Sequence, residues 1–239
     1  MDTVIWHDLE CGGYQQDLTL WLALGGAQGS PILDIGAGTG RVTLPLARAG
    51  HEVVALDLDA ELLQELERRA HGLPVQTVVA DARDFDLPQR DFALCIVPMQ
   101  TVQLFGGEQQ RARFLESAAR HLRPGGLLAI AIAQDLQEFE WQDGDVEPLP
   151  DMVELDGAVY FSQPTAVRRQ GRTYVLERIR ETVHPSGHRD RSEDRIALDT
   201  VSAVRLLKEG HRAGLRPLGT RRIPPTPDHV GSEVVILGA

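Results

Sequence analysis

Cysteine and lysine are scarce in this 239-residue chain. It has two cysteines, so no disulfide framework can be built, which fits a protein of the reducing cytoplasm. No apolar run approaches the length of a membrane span, and the opening residues MDTVIWHDLE lack the basic start and apolar core of a secretory leader. The net charge of −11 gives no reason to expect nucleic acid as a partner.

What is present is enough apolar sequence, 42%, to bury one α/β core. Apolar strand candidates alternate with helix-like stretches, and this alternation predicts parallel strands joined by right-handed crossovers. The predicted strands lie at 32–35, 52–57, 75–79, 92–97 and 127–133, and the predicted helices at 40–49, 60–71 and 108–121. A helix over 200–214 and a final strand pair, LRPLGTRRI and SEVVILGA, complete the expected single domain, residues 1–239.

The segment ILDIGAGTGR, residues 32–41, is a strand followed by a glycine-rich turn. Glycine leaves backbone bare, so such a turn can wrap a nucleoside-sized ligand at a helix N-terminus. A dinucleotide loop, G-x-G-x-x-G, would place its third glycine at position 41, where this chain has Arg41. Asp34 would repel a pyrophosphate but suits a ligand that carries an ammonium or a sulfonium group.

With glycine at 36, 38 and 40 after Asp34, the loop resembles the acidic-x-G-x-G-x-G motif of class I S-adenosylmethionine-dependent methyltransferases. Later landmarks follow in the family's order, ending with LRPGGLLAIAI, where Gly125 and Gly126 are expected to stop a helix. The resemblance implies a Rossmann-like doubly wound α/β fold, with a mostly parallel seven-stranded sheet, an antiparallel edge hairpin and an inserted antiparallel meander. It implies S-adenosylmethionine as cofactor, no metal, and the following cofactor-binding residues: Tyr14, Asp34, Gly36, Ala37, Gly38, Gly40, Asp57, Leu58, Asp81, Ala82 and Val97.

In this resemblance Asp57 meets the ribose hydroxyls, and Asp81 with Ala82 holds the adenine. Taken alone, Asp34 could be a turn or capping residue and Asp57 an ordinary acid at a strand end. Cys95 lies within the fourth apolar run, where core packing is the simpler role. Tyr14 is expected to close over the cofactor, with Trp6 as the weaker candidate and plain apolar anchoring as the alternative for both.

Residues 135–199 form an insertion between the fifth strand and the last helix, predicted to be a lid or specificity element, or else an edge sheet. Its first part, 135–156, holds nine acids and no lysine or arginine, and would draw cations to the mouth of the pocket. Its second part alternates as a three-stranded meander with turns at 170–171 and 185–187.

Candidates for the acceptor pocket follow the fourth strand, where the sequence departs from the motifs of nucleic-acid base methyltransferases. They are Met99, Gln100 and Gln103, together with Trp141 of the insertion. His184 and His188 flank a turn without a ligand set for zinc, and no catalytic base can be identified. The sequence therefore predicts transfer of a methyl group to nitrogen or oxygen of a small molecule, with the oligomeric state left open.

Two other functional classes of protein share the predicted nucleotide-binding fold. An NAD-dependent oxidoreductase is opposed by Arg41 and by the single lysine, Lys208, which cannot supply the Tyr-x-x-x-Lys pair of short-chain dehydrogenases. A non-catalytic protein that binds the cofactor stays open, because no single residue marks turnover.

Overall fold

The computed structural model describes residues 2–133, 136–142, 149–226 and 229–239. Six α-helices occur in this part of the chain: α1 (Asp2–Cys11), α2 (Leu18–Gln28), α3 (Thr43–Arg48), α4 (Ala60–Arg69), α5 (Glu108–His121) and α6 (Ala203–Arg212). The first seven strands are β1 (Ile32–Ile35), β2 (Val53–Asp57), β3 (Val75–Val79), β4 (Phe92–Val97), β5 (Leu122–Ile132), β6 (Phe139–Glu140) and β7 (Asp151–Leu155). The remaining strands are β8 (Ala158–Gln170), β9 (Thr173–Val183), β10 (Arg189–Asp199), β11 (Arg216–Ile223) and β12 (Ser232–Gly238).

Seven strands form the main sheet in the order β11-β12-β5-β4-β1-β2-β3. The five from β3 to β5 are parallel, while β12 runs antiparallel to both β5 and β11. The predicted doubly wound sheet with its antiparallel edge hairpin is therefore confirmed. Every residue of β1 and β4 is buried, as expected for parallel strands covered on both faces.

Helix signals in the sequence explain most boundaries of the parallel half. Helix α4 begins where the Asp59 side chain accepts hydrogen bonds from the backbone N–H groups of Glu61 and Leu62, and it buries a leucine stripe against the sheet. Cys95 is fully buried, as predicted. The stop assigned to Gly125 and Gly126 is wrong, because α5 already ends at His121 and both glycines belong to β5.

The insertion forms a second, antiparallel sheet in the order β10-β9-β8-β6, with β7 also paired to β8. Strands β8, β9 and β10 are the predicted meander. Of the nine acids in its first part, Asp135, Asp143, Asp145 and Glu147 lie outside the described residues. Among the helices that are described, none is long and apolar enough to cross a bilayer.

Candidate functional site

A cavity of about 570 Å³ lies where the carboxyl ends of β1, β2 and β4 meet α1 and the second sheet. This is the edge at which ligands bind in open α/β sheets, because the loops there leave a crevice beyond the strand ends. Helix α1 closes one side, and β9 and β10 supply a wall contributed by the insertion. The cavity thus has one face from the parallel sheet and another from the second sheet.

The glycine loop forms the floor of this cavity, with Gly36 and Ala37 among its lining residues. Gly36 and Gly38 have φ values of +74° and +54°, which side chains rarely tolerate. A Cβ at Gly36 would lie 2.5 Å from Thr101 Cγ2, and a Cβ at Gly38 would overlap the His7 ring. Only glycine fits either position. The bare backbone of Gly36 lines the cavity, whereas Gly38, also predicted to bind the cofactor, does not line it and is covered by the His7 ring.

Asp34 contributes a carboxylate that is only half satisfied. Its side chain is 1% exposed and lines the cavity. Oδ2 accepts a hydrogen bond from the Thr43 hydroxyl at 2.6 Å, while Oδ1 is buried without a partner. Burial raises the pKa of Asp34 to about 6, with the Thr43 hydrogen bond opposing the shift. A cationic ligand group would supply the missing partner and restore the ionised form.

Two further predicted acids also line the cavity. Asp57 ends β2, and its carboxylate accepts hydrogen bonds from Gly38 N at 2.8 Å and Asp59 N at 3.0 Å, which fixes its orientation. Asp81 is held by Arg83, whose guanidinium lies 2.6 Å from Oδ2 and lowers the pKa of Asp81. The neighbouring Leu58, 65% exposed, and Ala82 complete this side of the cavity.

The loop after β4 bends sharply into the cavity. Met99 has a φ of +56°, an unusual conformation for a side-chain-bearing residue that costs about 1–3 kcal/mol and is commonly found at functional sites. Met99 and Gln100 both line the cavity, as predicted for an acceptor pocket. The Thr101 hydroxyl donates to Pro98 O at 3.0 Å, which closes the turn and sets the Thr101 side chain against Gly36.

Helix α1 is attached to both sides of the cavity through charged side chains, and none of its residues is buried. On one side Asp8 pairs with Arg69 of α4 and accepts a hydrogen bond from the Thr39 hydroxyl at 2.6 Å. On the other side Glu10 pairs with Arg178 at 2.9 Å and with Arg180 at 2.7 Å. Through these contacts α1 connects the glycine loop and α4 to the second sheet.

His7 lies between these two attachments and lines the cavity. Its Nδ1 is 3.3 Å from Thr39 Oγ1. Because that hydroxyl gives its single proton to Asp8, Nδ1 acts as the donor in this contact. The other edge of the ring lies over Gly38.

Several predicted cofactor residues do not line the cavity. Tyr14 is 8% exposed and packs edge-on against His229, and its backbone carbonyl accepts a hydrogen bond from Arg41. Val97 is fully buried in the core. Gly40 has no room for a Cβ because Leu66 and Leu44 pack onto it, so this glycine serves helix packing.

Two predicted acceptor residues have other surroundings. Gln103 is 1% exposed, and its amide donates to Ala133 O and Asp199 O and accepts from Ala133 N, which ties β5 to the end of β10. Trp141 lies outside the cavity lining, where its backbone N–H donates to Thr165 O at 2.9 Å. Trp6 packs against Tyr160 of β8 instead of facing the cavity.

The sequence did not identify the cavity residues of α1 and of the second sheet. Alternation along β9 and β10 shows which residues share a face, but nothing in the sequence tells which face meets the main sheet. The residues missed in this way are His7, Glu10, Cys11, Leu176, Arg178, Ile196 and Leu198.

The remaining candidate groups lie elsewhere or play packing roles. His184 and His188 stack on each other at the β9–β10 turn, and both contact the Asp190 carboxylate, at 2.7 and 3.1 Å. Within the described ranges, no cluster of three metal-ligating side chains is found. Cys11 and Cys95 are both free thiols.

Comparison with known proteins agrees with this geometry. Residues 32–126 match the methyltransferase domain family. The cypemycin N-terminal methyltransferase of a Streptomyces species is 32% identical over 135 residues, covering 56% of this chain and 54% of that protein. The chain therefore spans about half the length of this relative.

Two solved structures share the fold over nearly the whole chain. The sugar N-methyltransferase KedS8 from a Streptoalloteichus species superposes with a TM-score of 0.74 at 19% identity, covering 99% of this chain and 92% of that one. CalS10, an amino pentose methyltransferase from Micromonospora echinaspora solved with S-adenosylmethionine bound, gives 0.69 at 19% identity, with 94% and 92% covered. The expected resemblance to class I methyltransferases is confirmed, with the family match extending over residues 32–126.

Proposed function

We propose that this chain, which carries a methyltransferase domain over residues 32–126, transfers a methyl group from S-adenosylmethionine to an amine of a small molecule. The observation that carries the proposal is the Asp34 carboxylate, buried at the cavity floor with one oxygen unpartnered. A buried, unpaired carboxylate oxygen is costly, and a cationic ligand group removes that cost. S-adenosylmethionine carries two such groups, an ammonium and a sulfonium.

The residues around Asp34 fit the rest of this cofactor. Bare backbone at Gly36 lets the ligand approach closely. The Asp57 carboxylate is oriented by two backbone N–H groups and keeps acceptor capacity for ribose hydroxyls. Leu58 offers an exposed apolar surface for the adenine, and in this proposal the Asp81 carboxylate accepts a hydrogen bond from the adenine amine.

When bound, S-adenosylmethionine supplies a methyl group on a good leaving group, the sulfonium. The residues of this chain then have to orient the acceptor and exclude water. The turn at Met99 and Gln100 positions the acceptor between the cofactor loop and the second sheet. The amine nitrogen forms a bond to the methyl carbon as the carbon–sulfur bond breaks, and the nitrogen afterwards releases a proton to water.

The choice of an amine rests on two supports. Proteins with related sequence or fold are named as an N-terminal methyltransferase, a sugar N-methyltransferase and an amino pentose methyltransferase. The cavity also holds two carboxylates, Asp34 and Asp57, that form no ion pair with an arginine of the described residues, and they favour cationic ligands. Methyl transfer to an oxygen acceptor is the alternative, and the labelling experiment described below distinguishes it from transfer to an amine.

We further propose that the insertion, residues 135–199, is the specificity element of this single domain. Its strands β9 and β10 supply one wall of the cavity, opposite the cofactor loop. Two free cysteines suit a reaction in the reducing cytoplasm.

The test is transfer of labelled methyl from S-adenosylmethionine into a panel of amines, phenols and carboxylates, beside calorimetric titration with S-adenosylhomocysteine and NAD. We expect S-adenosylhomocysteine to bind more tightly than NAD and amines to take up the label. Tighter binding of NAD would indicate an oxidoreductase. Binding of S-adenosylhomocysteine without transfer to any acceptor would indicate a non-catalytic protein that binds the cofactor.

A further inference from the structure

We propose that the cavity selects acceptors in which the body next to the reacting amine is apolar and carries no anionic group. The inference rests on the proposed methyl transfer and adds the class of substrate. It comes from two properties of the cavity wall: the pairing of its arginines and the apolar surface of the second sheet.

Each arginine that lines the cavity is already paired with a carboxylate. Arg41 lies 2.6 Å from Asp17, and Arg83 lies 2.6 Å from Asp81. The third, Arg178, lies 2.9 Å from Glu10. The single lysine of the chain, at position 208, is on α6 and does not line the cavity.

An anionic acceptor would therefore find no unpaired guanidinium or ammonium along the part of the wall that the structure describes. Recognition of phosphate or carboxylate normally uses an arginine fork whose N–H groups are free for the ligand. Here such a ligand would have to displace a protein carboxylate. It would also approach Asp34 and Asp57, which repel it.

The wall from the second sheet is apolar where it faces the loop after β4. Leu176 of β9 and Ile196 of β10 are directly paired, so both side chains lie on the same face of the sheet. Leu198, two residues further along β10, continues this face and is 4% exposed. Leu104 and Phe105, which follow Met99 along the chain, also line the cavity. These residues form an apolar chamber, which we define as Leu104, Phe105, Leu176, Ile196 and Leu198.

An apolar chamber also suits the chemistry of an amine. In surroundings of low polarity the charged form of an amine is disfavoured, so the pKa of a bound ammonium falls and the nitrogen lone pair becomes available. No protein base is then required at the nitrogen. A sugar with many hydroxyl groups would lose hydrogen bonds to water there without replacement.

The experiment measures binding of four probes to the complex with S-adenosylhomocysteine: phenethylamine, 4-(2-aminoethyl)benzoate, glucosamine and glucosamine 6-phosphate. We expect phenethylamine to bind at least 10-fold more tightly than each of the other three. The Leu176→Asn variant should weaken phenethylamine binding at least 5-fold and leave S-adenosylhomocysteine binding unchanged. Leu218→Asn, at a leucine 40% exposed on β11, is the matched control and should change neither.

The outcomes separate the two proposals. Three results would overturn the apolar selection. They are equal or tighter binding of the anionic or hydroxylated probes, no binding of any probe, and normal binding of phenethylamine by the Leu176→Asn variant. In each of these cases, retained binding of S-adenosylhomocysteine would leave the proposed methyl transfer standing. Failure of the wild-type protein to bind S-adenosylhomocysteine would overturn the proposed function itself.

Discussion

The two faces of the cavity are built by different forces. We call the side proposed to bind the cofactor the cofactor face, and the side proposed to bind the acceptor the acceptor face. On the cofactor face, β1 and β4 are buried along their whole length, and apolar packing fixes the loops that follow them. On the acceptor face, only Leu198 of the 11 residues of β10 is buried, and charged side chains such as Glu10 and Arg178 join the second sheet to α1. Apolar packing does not depend on charge screening, whereas these ion pairs weaken as salt is added, although less than fully exposed pairs would, because Glu10 and Arg178 are mostly buried. The cofactor face should therefore keep its shape under conditions that loosen the acceptor face.

The largest effect expected on the cofactor face is the loss of cofactor affinity in the Gly38→Val variant. A β-branched residue resists a φ of +54°, and its side chain would overlap the His7 ring. We expect a folded protein whose affinity for S-adenosylhomocysteine falls by a factor of about 100 or more, equivalent to about 2.7 kcal/mol. Circular dichroism and calorimetry measure fold and binding separately.

Gly50→Val is the matched control for Gly38→Val. Gly50 also has a positive φ, +92°, but it lies outside the glycine loop, and a Cβ there would meet open space instead of the His7 ring. This variant should lose stability through backbone strain and bind the cofactor normally. Normal binding by Gly38→Val would show that the ligand does not use this loop.

The next effect, about 10-fold, concerns the charge of Asp34. The pKa of this carboxyl is raised to about 6 by burial, so lowering the pH through 6 protonates it and removes its attraction for a cationic ligand. Affinity for S-adenosylmethionine should therefore fall about 10-fold from pH 7 to pH 5, because the ionised fraction of Asp34 falls about 10-fold over this range. Calorimetry at several pH values measures this pH dependence of the affinity. The Asp34→Asn variant should bind S-adenosylmethionine weakly at every pH. An unchanged pH dependence in the variant would assign the titration to another group.

The same pKa predicts the pH dependence of stability without ligand. Because the pKa of Asp34 in the folded state lies above its unfolded value of 3.8, the native state holds this proton more tightly. The contribution of Asp34 to stability is therefore present below about pH 4 and is lost as the pH rises toward 6. Denaturant unfolding of the wild type and of Asp34→Asn isolates this contribution.

A smaller, salt-dependent effect is expected where α1 meets the second sheet. Glu10→Gln weakens the pairs with Arg178 and Arg180, so α1 should open more often and its amides should exchange several-fold faster. In the wild type, raising the salt concentration should produce part of this change. Glu108→Gln is the control, since Glu108 also contacts two arginines, Arg205 and Arg212, but lies outside the cavity. Equal exchange in α1 for wild type and Glu10→Gln would show that the ion pairs do not hold this helix.

The smallest effect is expected from the acidic first part of the insertion. Glu140 pairs with Arg168 at 2.8 Å, and Glu138 accepts a hydrogen bond from Arg169 N, so part of this negative charge is compensated by β8. The double variant Glu138→Gln/Glu140→Gln should raise the Michaelis constant for an amine about two-fold at low salt, and less as salt is added. A change larger than 10-fold would mean that these carboxylates contact the acceptor.

The parallel half could be predicted from the sequence because its signals are local. The helix at 108–121 and the strands at 32–35, 75–79 and 92–97 have the predicted bounds, since apolar runs and capping residues determine them. The predicted helix at 40–49 shortens to Thr43–Arg48, because the loop glycines take positive φ values before the helix begins. The meander was also predictable, as alternation and turn residues mark each strand.

The acceptor face could not be predicted, because it depends on contacts between distant segments. Gln103 is predicted to line the acceptor pocket, yet it is buried and forms hydrogen bonds with Ala133 and Asp199, 30 and 96 residues away. The aromatic ring of Tyr14 predicts a contact with the cofactor, but Arg41 donates hydrogen bonds to Tyr14 O and to Asp17, which hold this segment at the start of α2. Ion pairs across 170 residues, such as that between Glu10 and Arg180, leave no local signal.

The most direct test of the division between the two faces is calorimetric titration of S-adenosylhomocysteine into the wild type, Asp57→Ala and Leu176→Asn. Asp57→Ala should weaken binding by about 1.5–3 kcal/mol, because hydrogen bonds from the ligand to a charged group are lost. Leu176→Asn should bind like the wild type. Normal binding by Asp57→Ala, or an equal loss in both variants, would contradict the account.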